Sequence, residues 1–272
     1  MTTVHRCDCP QTLPMSSRIC SRLALLRFSA FTSGLATCLL TASGLSFCQE
    51  LPIEIGSSRI VYNENQPSAT VSVRNKSDIP YLVSINVTEF CGEGKQCPST
   101  DDFMASPGFR VIRPGESFPF RLVKLIDSLP TDYESLYLVK FLLLPSDIKL
   151  TQKQIESPRV TFTLAGTLKL FWRPKALANV PGALKTRDML AANCTDSGMT
   201  IHNRSAYWGT ISVLDANDQS LLKDGPLPMI APFSDRHFDL NFCPRSIAVA
   251  LLSESGLSTS ARFIPVRSLN KE

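Results

Sequence analysis

The sequence predicts an all-β protein built from two consecutive sandwiches, and three observations carry that reading. Runs rich in Val, Ile, Thr and Phe are short and are cut by Pro, Gly, Asn and Asp. The 19 prolines against 13 glycines in 272 residues favour many short elements over long helices. The strand-and-turn rhythm breaks once, at RPKALANVPGALK (173–185), and then resumes to the C-terminus.

The chain opens on a targeting segment. Arg18, Arg22 and Arg27 precede an apolar, small-residue run from Phe28 to Phe47 that contains no acidic residue, the pattern of a secretory signal. Cleavage after Cys48 would place Ser46 and Cys48 where signal peptidase takes small side chains, and Met15 is an alternative start. No later run reaches the roughly 20 apolar residues that a membrane-spanning helix needs, so no stable membrane insertion is expected. Residues 1–48 hold four of the arginines and one aspartate, which leaves 24 basic against 23 acidic residues. A balance so near neutral argues against nucleic-acid binding. Four cysteines remain, Cys91, Cys97, Cys194 and Cys243, and an even number in an exported chain favours disulfides. Of the three connectivities, Cys91–Cys97 with Cys194–Cys243 keeps each bridge within one sandwich.

From Ile53 the strand candidates follow in order: IVYN, ATVSVRN, YLVSINVTEF, FRVIRPGE, FPFRLVKL and SLYLVKFLLLP. Ser146 to Pro158 is polar and bounded by prolines, and is expected to be a mobile loop. The run after it, RVTFTLAGTLKLFWRP (159–174), alternates Val160, Phe162 and Leu164 on one face of an extended strand. It then sets Lys169 and Arg173 among Leu168, Leu170, Phe171 and Trp172. A cation in such surroundings is costly to desolvate unless an anion meets it, so the run predicts a built-in anion site. Residues 175–184 are expected to be a hinge. GMTIHN, YWGTISVLD, FDLNF, SIAVALLS and SARFIPV then supply a second, smaller sandwich.

SSRIVYN (57–63), NKSDIPYLV (75–83), RPGES (113–117), YESLYLVKFLLLP (133–145), LKLFWRP (168–174) and MIAPFS (229–234) occur in an order and spacing that resemble the periplasmic chaperones of chaperone-usher pili. The resemblance covers nearly all of the chain after the signal. It implies two immunoglobulin-like β-sandwich domains joined at an angle: 1–48 a signal peptide, 49–174 a first domain, 175–184 a linker and 185–272 a second domain. It implies a non-enzymatic, cofactor-free periplasmic protein that binds, folds and caps pilin subunits and delivers them to an outer-membrane usher. Arg59 and Lys169 fall where the family grips the subunit's C-terminal carboxylate, and an arginine can hold a carboxylate with two parallel hydrogen bonds. Val160, Phe162 and Leu164 fall on the strand donated to the subunit groove. Glu134, Arg173 and Glu254 fall on the ion network that fixes the two domains. Glu254 stands where the family more often has aspartate, one methylene shorter. The loop before the donor strand is longer than in short-loop members, which reads as a short-loop chaperone with an insertion. Self-association of a subunit-free chain is left open.

Each site residue also has a plainer reading. A lone arginine in a strand is usually solvated at an edge, and an apolar alternating row usually fills its own core. CGEGKQC (91–97) lacks the Walker spacing and a following helix, so it reads as a stapled hairpin tip rather than a phosphate loop. No CxxC pair accompanies His202 and His237, so no metal site is expected, and no GxSxG or Ser-His-Asp set points to hydrolysis. Asn75, Asn86, Asn193 and Asn203 head N-x-Ser/Thr tripeptides. The rival function is a secreted or cell-surface immunoglobulin-like adhesion module, which needs neither paired cations nor a donor row.

Overall fold

Alternating burial is written into the first strands. In Ala69–Asn75 every second residue is buried and the others are exposed, as a strand with one face on a core requires. The computed structural model describes residues 51–92, 94–146, 163–178 and 180–269. The expected signal segment, the expected loop from residue 147 onward, Val160 and Phe162 lie outside the described residues.

Among the described residues, nine strands form the first half: β1 (Ile53–Ile55), β2 (Arg59–Asn63), β3 (Ala69–Asn75), β4 (Tyr81–Glu89), β5 (Phe103–Ser106), β6 (Phe109–Ile112), β7 (Ser117–Lys124), β8 (Ser135–Pro145) and β9 (Leu164–Arg173). They make two sheets, ordered β1-β3-β7-β5 and β2-β9-β8-β4-β6. Val71, Val73, Phe120 and Leu122 from one sheet meet Val83, Val139, Phe141, Leu170 and Trp172 from the other in a single core. Tyr62 stands edge-on to Trp172 with ring centroids 5.2 Å apart, and Phe103 to Tyr137 at 4.7 Å, the offset geometry that aromatic quadrupoles favour.

After β9 the expected irregular hinge is partly helical. Lys175–Leu177 make one 3-10 turn, and α1 (Gly182–Met189) straddles the expected boundary at residue 185. Pro181 precedes its first residue, a position where a missing N–H costs nothing. The helix packs on β12 (Gly209–Ala216) and β16 (Ser246–Leu251), burying Thr186.

The second half adds β10 (Leu190–Thr195), β11 (Gly198–Asn203), β13 (Gln219–Ser220), β14 (Met229–Ile230), β15 (Asp235–Phe238) and β17 (Arg262–Ser268). Arg262–Pro265 of β17 pair antiparallel with β16, while Val266–Ser268 pair parallel with β10. One strand thus changes layers, and the sheet curls around a second core of Met199, Ile201, Ile211, Leu214, Val249 and Leu251. The architecture is all-β with two immunoglobulin-like sandwiches. Cys91 is bridged to Cys97 and Cys194 to Cys243, with Cα atoms 5.7 and 5.8 Å apart, so each bridge stays within its own half.

Candidate functional site

The parallel ladder between β2 and β9 builds the site. Its register sets Arg59 beside Lys169, Val61 beside Phe171 and Asn63 beside Arg173. The pleat sends Ile60, Tyr62, Leu170 and Trp172 into the first core and leaves Arg59, Val61, Lys169, Phe171 and Arg173 on the opposite face. On that face Leu136, Phe171 and Met229 form a small buried cluster with Val61, Phe90 and Trp208. Met229 and Trp208 come from the second half, so the cluster joins the two sandwiches beside a cleft lined by Arg59, Glu134, Arg173, Leu252 and Glu254.

Beside it lies an ion network. Arg173 is buried, its Nε donates to Glu134 Oε1 at 2.8 Å and its Nη1 to Glu254 Oε1. Nη1 also reaches the Val180 carbonyl at 3.3 Å. Glu134 is 2 % exposed at its side chain, and its Oε2 accepts the Trp208 backbone N–H at 2.9 Å. Burial pushes the Glu134 carboxyl up, against the pull of Arg173. The packing is close: a Cβ on Gly182 would stand 2.9 Å from both Arg173 Nη2 and the Tyr207 ring. The three residues expected as an ion network therefore stand in contact, two from the first half and one from the second.

Arg59 is held more loosely. Its Nη1 reaches the Leu252 carbonyl at 3.4 Å, its guanidinium carbon lies 5.9 Å from the Phe171 ring centroid, and its Nε is buried without a partner among the described residues. Burial lowers its pKa, and Glu134 partly offsets this. Both neighbouring carboxylates are already bonded to Arg173, so the cleft presents Arg59 with hydrogen-bonding capacity to spare. Lys169 stands next to it in register and is half-buried.

β9 runs past the end of this ladder. Leu164–Leu168 pair with Leu143–Val139 of β8 on one edge, and no strand pairs with the other edge among the described residues. Leu164 is half-buried against the first core. Among the described residues no group of three metal-ligating side chains occurs, and no helix is long and apolar enough to cross a membrane.

Sequence reasoning missed several contributors. Phe90 stacks edge-on against Trp208 at 5.6 Å, and the Leu252 carbonyl, a backbone group, has no sequence signature.

Residues 52–178 match the family model for pili and flagellar-assembly chaperones, PapD N-terminal domain. A probable fimbrial chaperone protein, ElfD of Escherichia coli O157:H7, is 29% identical over 220 residues, covering 78% of this chain and 87% of the relative. The chaperone protein FimB/FhaD of Bordetella pertussis is 24% identical over 184 residues, 66% and 74% of the two chains. Among solved structures, the Salmonella enterica SafA pilin in complex with the SafB chaperone matches with TM-score 0.66 at 18% identity, covering 78% of this chain and 95% of that one. The E. coli chaperone DraB matches with TM-score 0.64 at 22% identity, covering 79% and 98%.

Proposed function

We propose, for a chain that belongs to the family of pilus-assembly chaperones, that it captures pilin subunits by donor-strand complementation and passes them to an outer-membrane usher. Members of this family are periplasmic chaperones and not enzymes. On this reading the first 48 residues export the chain, 49–174 is the donor domain and 185–272 the second domain, with 175–184 between them.

The observation that carries the reading is the edge of β9 from Leu164 to Leu168, bare among the described residues, which leads directly into the Arg59–Lys169 pair. An unpaired strand edge is a template for another chain's backbone. A subunit segment laid along that edge would end at two cations, and a terminal carboxylate there is met by the spare capacity of Arg59 and the compact charge of Lys169. Val160, Phe162 and the exposed part of Leu164, whose other side packs on the first core, would then fill the subunit's groove. The paired Glu134, Arg173 and Glu254 would hold the two domains at one angle, a role that a buried ion network can serve without adding much stability. An adhesion module would need neither the bare edge nor the cation pair at its end.

Co-expression with a pilin subunit tests the function directly. Lys169→Ala and Arg59→Ala are expected to melt near wild type and to lose co-purified subunit. Wild-type recovery of subunit by both variants would overturn the anchor and return the chain to a general binding module.

A further inference from the structure

We propose that the turn Leu252–Gly256, after β16, is the positioning element of the anion site, and that the absence of a side chain at Gly256 sets where Arg59 sits. The inference rests on the reading of Arg59 as a carboxylate ligand.

The turn touches both arginines of the cleft. Its Leu252 carbonyl accepts from Arg59 Nη1, and its Glu254 carboxylate accepts from Arg173 Nη1. Its third contact is steric. A Cβ at Gly256 would stand 2.1 Å from Ser58 Oγ, so that hydroxyl would have to turn away, and 3.1 Å from Ser58 Cβ, which would have to give by a few tenths of an ångström. Ser58 immediately precedes Arg59 and lies outside the β2–β9 ladder, whose first pair is Arg59 with Lys169. What remains after the hydroxyl turns away falls on Ser58 Cβ, one residue before the first pair of the ladder.

The turn itself is braced. Ser253 N–H donates to the Leu257 carbonyl at 2.7 Å, Gly256 N–H to Ser253 at 3.0 Å and Leu252 N–H to Thr210 at 2.9 Å. The Arg59 guanidinium, by contrast, is held among the described residues by one long hydrogen bond and by the Phe171 ring beside it. When a braced turn presses on Ser58, the next residue moves with it, and Arg59 carries a lightly tethered guanidinium. Bidentate carboxylate recognition depends on the angle of that group, so a methyl group at 256 would spoil recognition without removing any atom that touches the ligand. Gly256 and Ser58 are positioning residues in this scheme.

The test compares one short alternating Val-Thr peptide in two forms, with a free C-terminal carboxylate and with a carboxamide. Binding to the full exported chain is measured by calorimetry. The wild type is expected to prefer the acid by roughly tenfold or more, the range of charge-assisted hydrogen bonds. Gly256→Ala is expected to cut that preference to about twofold while leaving amide affinity unchanged, a pattern that simple loss of stability does not produce. Gly256 has φ +82°, so alanine there is strained whatever the space. The double variant Ser58→Gly/Gly256→Ala keeps that strain and removes the collision, and should regain the acid preference. If Gly256→Ala does not fold, Ser58→Thr crowds the same contact from the other side and is read in the same way. A wild-type acid preference in Gly256→Ala, or in Ser58→Thr where that variant stands in, overturns the inference and leaves the carboxylate reading standing. A double variant as indiscriminate as Gly256→Ala overturns it too, assigning the loss to strain. No acid preference in the wild type removes the carboxylate reading and this inference with it.

Discussion

Asn75 and Asn203 make the same corner in the two sandwiches. Asn75 Nδ2 donates to the carbonyls of Ile79 and Ile112, at 2.7 and 3.0 Å, while its Oδ1 accepts from the N–H and hydroxyl of Ser77. Asn203 Nδ2 donates to Tyr207 and Ala231, at 2.8 and 2.7 Å, and its Oδ1 accepts from the N–H and hydroxyl of Ser205. Both side chains are buried. The N-x-S tripeptides at these positions are thus structural corners, and their amide nitrogens are fully engaged.

Asn75→Ala and Asn203→Ala should each destabilise the chain by about 2–4 kcal/mol, because each strips partners from several buried backbone groups that water cannot reach. Urea unfolding of the two variants checks this. Asn86→Ala is the control, since its amide makes one exposed hydrogen bond, to Ser99 Oγ at 3.1 Å, and it should change stability by less than about 0.5 kcal/mol.

Much of this was legible, and what was not has physical causes. The period-2 pattern of ATVSVRN and its neighbours gives the strands because one face of each lies on a core. The grouping of Arg59, Lys169, Glu134, Arg173 and Glu254 follows from motif order, since no local pattern links residues so far apart. The α1 helix is hidden by its length of eight residues and by Pro174 and Pro181 around it. The change of layer within β17 is invisible because SARFIPV reads as one strand whichever neighbours it takes. Gly256 carries no signal either; its meaning lies in Ser58, which only the folded chain brings near.

The two disulfides should differ in worth. Cys194 and Cys243 are 49 residues apart in sequence and Cys91 and Cys97 only 6, so loop entropy in the unfolded chain gives about 4 kcal/mol for the first and about 2 kcal/mol for the second. Replacing Cys194 and Cys243 by alanine should lower the melting temperature more than replacing the Cys91–Cys97 pair. Neither should release a bound subunit, since neither pair lies on β9 or at Arg59. Equal losses in melting temperature would mean that the longer loop is already constrained in the unfolded chain.

Glu116 gives a pH dependence with a defined sign. Its carboxylate accepts the Arg113 N–H at 2.9 Å and pairs with Arg110 at 3.2 Å, and the backbone hydrogen bond followed by the Arg110 contact holds its pKa below the ordinary value. A depressed carboxylate contributes stability above its unfolded pKa, near 4.5, and loses it as the pH falls through the folded value. Glu116→Gln should therefore lower the melting temperature at neutral pH and converge with wild type in strong acid. A constant difference across that range would show that the charge does not matter.

The ion network should separate stability from orientation. Glu134 is 2 % exposed at its side chain and Glu254 is 45 % exposed, yet both bond Arg173. Glu134→Gln removes the buried charge, leaves Arg173 with a partner that water already screens, and should cost about 3–5 kcal/mol, the range for breaking a buried pair. Glu254→Gln should cost about 1 kcal/mol or less, because a half-exposed pair is worth little. Replacing Glu134 and Arg173 together by methionine removes both desolvation penalties and should recover most of the stability. The double variant would still lose the hydrogen bond from the Trp208 backbone N–H to Glu134 and the directional link to Glu254. Its two sandwiches should therefore sample a wider range of angles, seen as a broadened small-angle scattering distance distribution at near-normal urea midpoint. A distribution identical to wild type would move the control of orientation from the ion network to the apolar cluster of Leu136, Phe171 and Met229.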